Sequence, residues 1–224
     1  MKSIGLKNFL ESDIYGLTAG EYSLGRSNTE VVEQMIAAGI KVIQYREKNK
    51  KALYMYQECL SIREQTRRAG VTFIVNDHID LAIAVGADGV HIGQEDLPPA
   101  EVRRLTGGSM LIGLSTHTPA QAEAAVKSKV VDYIGVGPVF ATQTKKDVCA
   151  PVGLSYLEFV AKNIELPFVA IGGIKEHNVA EVRRHGARTC AIVTDIVGAA
   201  DILQKVGAIR QAMNSADEKI LPSK

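Results

Sequence analysis

A chain of 224 residues, 46% apolar, 23% charged and 5% aromatic, has the size of one globular domain or at most two small ones. With 26 basic against 25 acidic side chains and a formal charge of +1, it lacks the basic excess that phosphate-backbone recognition requires, which argues against nucleic acid and makes a small molecule the expected partner. No apolar run reaches the roughly 18 residues that cross a bilayer, no signal-peptide core follows Met1, and Cys59, Cys149 and Cys190 show no C-x-x-C spacing; a cytoplasmic protein without membrane contact, disulfide framework or zinc site is expected.

Short apolar runs rich in β-formers start near Ile14, Val42, Thr72, Gly89, Leu111, Val131, Phe168 and Thr189, which predicts eight strands. Between them the apolar spacing turns helical, as in Val31, Met35, Ile36, then Tyr56, Leu60, Ile62, and later Val179 and Val182 before Gly186. Runs such as Thr72-Phe-Ile-Val75 and Phe168-Val-Ala-Ile171 are continuous rather than alternating, the pattern of parallel strands covered on both faces. The strand starts recur every 25 residues or so, about the repeat of an eight-unit βα barrel, so the expected fold is α/β, a single-domain (β/α)8 TIM barrel over residues 1–214. An open doubly wound sheet is the alternative, but the first strand runs into Gly16-Leu-Thr-Ala-Gly20 without G-x-G-x-x-G. Residues 140–154 read as a long loop, functional or mobile, and the polar tail 215–224 is expected to fray.

In a βα barrel the active site lies at the C-terminal strand ends, and unusual polar residues collect there. After the second strand, alternation sends Gln44, Arg46 and Lys48 to one face, where two cations in a desolvated mouth call for an anionic partner or for a structural network with acids such as Glu47. The third strand ends in Asn76-Asp77 and the fourth leads to Asp96, so two carboxylates stand on adjacent strand ends. They suit Mg²⁺ completed by substrate oxygens, although Asp96 also reads as a cap for a helix starting at Pro98 or Pro99. After the fifth strand come Ser115, a phosphate donor, His117, an acid–base group or a bystander, and Thr116 or Thr118 as a helix cap. Thr142, Thr144, Lys145 and Lys146 on the long loop form a mobile anion clamp or a solvated pair. Gly172-Gly173 after strand seven, with Val193-Thr194 after strand eight, matches the common phosphate site of this fold, or else a tight turn. Two anion sites in one mouth suggest two phosphorylated substrates. In the first, Arg46, Lys48, Lys145 and Mg²⁺ less two aspartates leave about +3, against about −3 for a diphosphate ester.

Six ordered segments carry a resemblance: Gln44-Tyr-Arg46-Glu-Lys48; Asn76-Asp77-x-x-Asp80-Leu-Ala; Asp88-Gly-Val-His-Ile-Gly-Gln-Glu-Asp96-Leu; Gly113-x-Ser115-Thr-His-Thr; Asp132-Tyr-Ile-Gly-Val-Gly-Pro-Val-Phe-x-Thr142-x-Thr144-Lys145; and Ala170-Ile-Gly-Gly173-Ile. From about Tyr15 to Ala212 the chain resembles the thiamine-phosphate synthase family. The resemblance implies a (β/α)8 enzyme joining 4-amino-2-methyl-5-hydroxymethylpyrimidine diphosphate to 4-methyl-5-(2-phosphoethyl)thiazole, or its carboxylate, with loss of pyrophosphate. It assigns Gln44 to the pyrimidine substrate, Arg46, Lys48, Asn76, Ser115 and Lys145 to the diphosphate, and Asp77 and Asp96 to Mg²⁺. Thr142, Thr144, Gly173, Val193 and Thr194 fall to the thiazole phosphate. The family mechanism is dissociative: pyrophosphate leaves first, and the aminopyrimidine stabilises a methylene cation that the thiazole nitrogen captures. Consistently, no Ser-His-Asp or Cys-His arrangement is found, and neutralisation of the leaving group falls to Lys145, Ser115, Arg46 and Lys48.

Two positions depart from the family pattern: Asp195 follows Thr194 where a small residue is usual, and Tyr45 replaces a leucine on the outward face of its strand. The rival readings are a thiazole tautomerase with His117 as acid–base group, and a phospholigand sensor that keeps the mouth without turnover. A homodimer is implied by the resemblance alone.

Overall fold

The computed structural model describes residues 4–142, 144 and 149–217. Eight parallel strands, β1 (Ile14–Leu17), β2 (Val42–Tyr45), β3 (Thr72–Asn76), β4 (Gly89–Ile92), β5 (Leu111–Thr116), β6 (Tyr133–Val136), β7 (Phe168–Ile171) and β8 (Thr189–Ile192), pair in chain order. The barrel closes where Tyr15 lies beside Ala191. Strand β6 starts two residues beyond the apolar run that predicted it; just before it, Asp132 still donates its N–H to the Ile112 carbonyl while its carboxylate takes Arg103 and the Ile112 N–H.

Alternation along each strand divides the interior into two cores. Ile43, Tyr45, Phe73, Val75, Val90, Ile112, Ile134, Ala170 and Ile192 point outward into the layer between sheet and helices. Tyr15, Leu17, Val42, Ile74, Leu111, Tyr133, Val169 and Ala191 fill the barrel itself. Inward residues at the next level up, Gln44 on β2 and Ser115 on β5, therefore rise towards the C-terminal mouth.

The outer layer comprises α2 (Asn28–Ala37), α3 (Ala52–Ala69), α4 (Ile79–Ala84), α5 (Pro99–Thr106), α6 (Pro119–Ser128), α7 (Gly153–Asn163), α8 (Val179–Arg184), α9 (Thr194–Val197) and α10 (Ile202–Asp217). Helix α2 starts at a capping box in which the Ser27 hydroxyl accepts from Glu30 N–H while the Glu30 carboxylate accepts from Ser27 N–H. Helix α3 stops at Gly70, whose φ of +67° ends the helix in the left-handed region. An additional helix, α1 (Ile4–Leu10), precedes the first strand and closes the bottom of the barrel: Phe9 is buried with its ring 4.4 Å from that of Tyr133. The last helix runs through Asp217, and residues 218–224 of the expected tail lie outside the described residues.

Carboxylates that precede strands secure the lower rim. Asp13 pairs with Arg210 at 2.6 Å, Asp88 forms a two-pronged pair with Arg63, and Asp132 pairs with Arg103; each carboxylate also accepts a backbone N–H. Among the described residues no helix is long and apolar enough to cross a membrane.

Candidate active site

The mouth is assembled from the segments that follow each strand. Thr18 extends the β1–β2 pairing by one step: its N–H donates to the Gln44 carbonyl and its hydroxyl accepts from Arg46 N–H. This continues the alternation past Tyr45, with Arg46 on the face of Gln44. Glu47 faces the other way, where its Oε1 accepts from Gly20 N–H and the Asn28 amide, so it does not pair with the two cations. Lys48 instead reaches Asp77, Nζ to Oδ2 at 2.7 Å. Tyr45, outward as expected, donates to Glu58 at 2.6 Å.

Asp77 adopts φ +60°, a conformation unusual for a residue with a side chain, and His78 N–H donates back to the Asn76 carbonyl at 2.7 Å across it. Its own N–H donates to the His91 carbonyl, which ties the end of β3 to β4. A strained residue held from both sides at a strand end marks a position where the side chain's direction matters. Asp96 does not cap the following helix: α5 starts at Pro99 with Pro98 before it and no side-chain cap bond. The Asp96 carboxylate accepts from Gly93 N–H at 2.6 Å and so folds the turn after β4. Two carboxylates on adjacent strand ends are hard oxygen donors that fit Mg²⁺, an ion commonly held by one or two carboxylates with substrate oxygens and water.

On β5, the Ser115 hydroxyl lies 3.0 Å from His91 Nε2, and the Gln94 amide donates to the Ser115 carbonyl. Gln44 Nε2 donates to the Tyr15 hydroxyl at 3.0 Å, and that hydroxyl lies 2.9 Å from the hydroxyl of Tyr133, itself 3.1 Å from His91 Nδ1. Sequence reasoning missed Tyr15, His91 and Tyr133 as site residues. The available signal was a polar residue at an inward register on three strands that otherwise bury apolar or glycine residues. Thr118 caps α6, whereas Thr116 is buried and hydrogen-bonded to Tyr156 and the Gly135 carbonyl. His117 Nδ1 lies 2.6 Å from the Gly137 carbonyl, so that nitrogen is the donor.

Beyond β6, Val139 and Phe140 N–H groups donate to the Ile171 and Gly172 carbonyls, fastening the start of the long loop to the end of β7. A Cβ on Gly172, at φ +103°, would lie 2.4 Å from Pro138, and one on Gly173, at φ +63°, 2.6 Å from the Ala141 carbonyl oxygen. The glycine pair is thus required by loop-to-loop approach as well as by its turn. The Thr142 hydroxyl accepts from Thr144 N–H and donates to its hydroxyl. Lys145 and Lys146 lie outside the described residues. Val193 and Thr194 open α9, and the Asp195 carboxylate accepts from Glu176 N–H at 2.9 Å, which commits it to the loop before α8.

Gln44, Arg46, Lys48, Asn76, Asp77, Asp96, Ser115, Thr142, Thr144, Gly173, Val193 and Thr194 all stand at one end of the barrel. The set offers cations, carboxylates, hydroxyls and amide groups, a chemistry suited to binding and stabilising anions. The buried thiols of Cys59 and Cys190 are pushed up to about 12 by desolvation, which leaves them protonated and unreactive.

A family model described as thiamine monophosphate synthase matches residues 14–196. A thiamine-phosphate synthase of Pelotomaculum thermopropionicum is 69% identical over 96% of this chain and 98% of its own length. One from Lawsonia intracellularis is 52% identical over 91% and 94%. Among solved structures, thiamine phosphate pyrophosphorylase from Pyrococcus furiosus superposes with a TM-score of 0.83 at 31% identity, covering 94% of this chain and 98% of that one.

Proposed function

Because the chain belongs to the thiamine monophosphate synthase family, we propose that the mouth described above carries out the family reaction with its own residues in the following roles. The enzyme joins the hydroxymethylpyrimidine diphosphate to the thiazole phosphate, or its carboxylate, and releases thiamine phosphate and pyrophosphate. Arg46, Lys48, Asn76, Ser115 and Lys145 bind the diphosphate, and Gln44 contacts the pyrimidine. Thr142, Thr144, Gly173, Val193 and Thr194 receive the thiazole phosphate. Asp77 and Asp96 hold Mg²⁺, which when bound supplies charge neutralisation to the pyrophosphate.

The chemistry asked of the protein is stabilisation of a leaving anion and alignment of the incoming nitrogen. Arg46, Lys48 and Lys145 offset the negative charge that develops on pyrophosphate as the bond to the methylene carbon breaks, and Ser115 donates to it. The second phosphate site places the thiazole so that its nitrogen meets the cation before water does. The observation that supports this reading most is the grouping of cations, two carboxylates and a hydroxyl at one barrel end. We further propose one catalytic domain over residues 1–214, a cytoplasmic location and a homodimer, with small molecules as the only substrates.

The test is formation of thiamine phosphate and pyrophosphate by the purified protein from both substrates, first with Mg²⁺ and then with EDTA. Metal-dependent product is expected. Lys145→Ala is expected to lower turnover more than thiazole-phosphate binding, and an unaltered turnover removes Lys145 from the leaving-group site.

A further inference from the structure

Beneath the mouth, five polar side chains from five strands form a continuous chain through the barrel interior: Gln44, Tyr15, Tyr133, His91 and Ser115. The neighbouring strands leave room for it. A Cβ on Gly113 would lie 2.2 Å from the Tyr133 ring and 2.4 Å from His91 Nδ1, and one on Gly135 would lie 3.3 Å from the His91 ring. A row of polar groups inside a barrel core is costly unless each is satisfied, so the direction of every hydrogen bond in it is constrained.

A count of protons fixes that direction. The Gln44 nitrogen only donates, so the Tyr15 oxygen accepts there, and the single Tyr15 proton goes to Tyr133. Tyr133 then spends its proton on His91 Nδ1, which must be the bare nitrogen of a neutral imidazole. Nε2 keeps the ring proton and donates to Ser115. Burial pushes both phenols well above their ordinary range, so neither proton is lost. Two consequences appear at the ends: the Ser115 hydroxyl proton is left to donate into the mouth, and the Gln44 side-chain oxygen, Oε1, is left to accept there.

We propose that Tyr15, Tyr133 and His91 are positioning residues, a relay that sets Ser115 as a donor and Gln44 as an acceptor. With the opposite polarity, Gln44 would present its amide N–H donors and Ser115 a bare lone pair, which repels an anion. With this one, the mouth accepts a phosphate oxygen at Ser115 and an exocyclic amino group at Gln44. The assignment of those two ligand groups rests on the function proposed above, whereas the polarity does not.

The test uses full-length protein with 15N-labelled histidine, with the His91 ring signals assigned by their loss in His91→Gln. In the wild type, a protonated Nε2 and a bare Nδ1 are expected, and a proton on Nδ1 overturns the relay without any variant. In Gln44→Glu at alkaline pH the ionised carboxylate can only accept, so every link reverses and the His91 proton moves to Nδ1; adding Tyr133→Phe cuts the chain and abolishes that transfer. A tautomer that ignores residue 44 overturns the relay while leaving the substrate contacts intact. Tyr133→Phe alone is expected to lower kcat/KM for the pyrimidine diphosphate by about tenfold, with KM for the thiazole phosphate within about twofold. A transmitted tautomer with unchanged constants would support the relay and remove Ser115 from the substrate contacts.

Discussion

Lys48 Nζ lies 2.7 Å from Asp77 Oδ2, so a cation assigned to the substrate diphosphate and a carboxylate assigned to Mg²⁺ neutralise one another. The pair links the two halves of the leaving-group site, because whatever draws on one partner frees the other. Lys48 is half-exposed, which limits the strength of the pair to about 1 kcal/mol. Lys48→Met is therefore expected to tighten Mg²⁺ binding without substrate by about fivefold and to raise KM for the pyrimidine diphosphate by about tenfold. Calorimetric titration with Mg²⁺ checks the first and steady-state kinetics the second; unaltered Mg²⁺ affinity would mean that the lysine does not compete for Asp77.

Asp96 serves the fold and the proposed metal through different properties, and the two can be separated. Asparagine retains an oxygen to accept from Gly93 N–H but loses the charge, so Asp96→Asn should keep its Tm within about 1 °C while needing about tenfold more Mg²⁺ for half-maximal activity. Asp96→Ala should in addition lose the turn, about 1 kcal/mol or 2–4 °C in Tm. An unchanged Mg²⁺ requirement in Asp96→Asn removes the metal assignment.

Gly172 and Gly207 respond oppositely to the same methyl group. At Gly172 the added carbon meets Pro138 at 2.4 Å in a backbone with φ +103°, and a loss of about 2–4 kcal/mol is expected together with weakened thiazole-phosphate binding. Gly207 lies within α10 with open space around it, so Gly207→Ala should stabilise by about 0.5–1 kcal/mol. Denaturant unfolding of both variants measures the contrast.

Burial tends to raise the Asp13 carboxyl, but the hydrogen-bonded Arg210 guanidinium and the Ile14 N–H outweigh it and hold the group below its ordinary 3.8. A depressed folded value stabilises the fold above the unfolded value, and that stabilisation is lost as pH falls through the folded one. Asp13→Asn keeps an acceptor for Ile14 N–H and loses the charge. At neutral pH it should cost about 1 kcal/mol after solvent screening of a carboxylate that is 40% exposed, with the deficit closing below about pH 4. Urea unfolding of both proteins between neutral pH and pH 3 tests it, and a deficit constant over that range would assign the effect to packing.

Period and composition were enough to recover the barrel: a covered parallel strand leaves a continuous apolar run, and the recurrence of such runs limits the topologies that fit. The same periodicity put Gln44, Arg46 and Lys48 on one face, since side chains along a strand can only alternate. Helix α1 left no comparable signal, because seven residues, about two turns, ahead of the first strand read as a polar leader until Phe9 is seen packed on Tyr133. Strand β6 begins at Tyr133 and not at Val131, because an apolar run marks that a strand exists more sharply than where its pairing starts.

What the sequence determined by itself was thus which residue types stand at which strand ends, because strand periodicity and covalent order decide that locally. What only the tertiary structure decided was how those residues are spent: Lys48 on Asp77, Asp96 on the Gly93 turn instead of a helix cap, Asp195 on Glu176, and Tyr15, Tyr133 and His91 on one another. Hydrogen bonds and ion pairs of that kind depend on separations of a few tenths of an ångström between segments far apart in sequence, and only closure of the barrel brings those segments together.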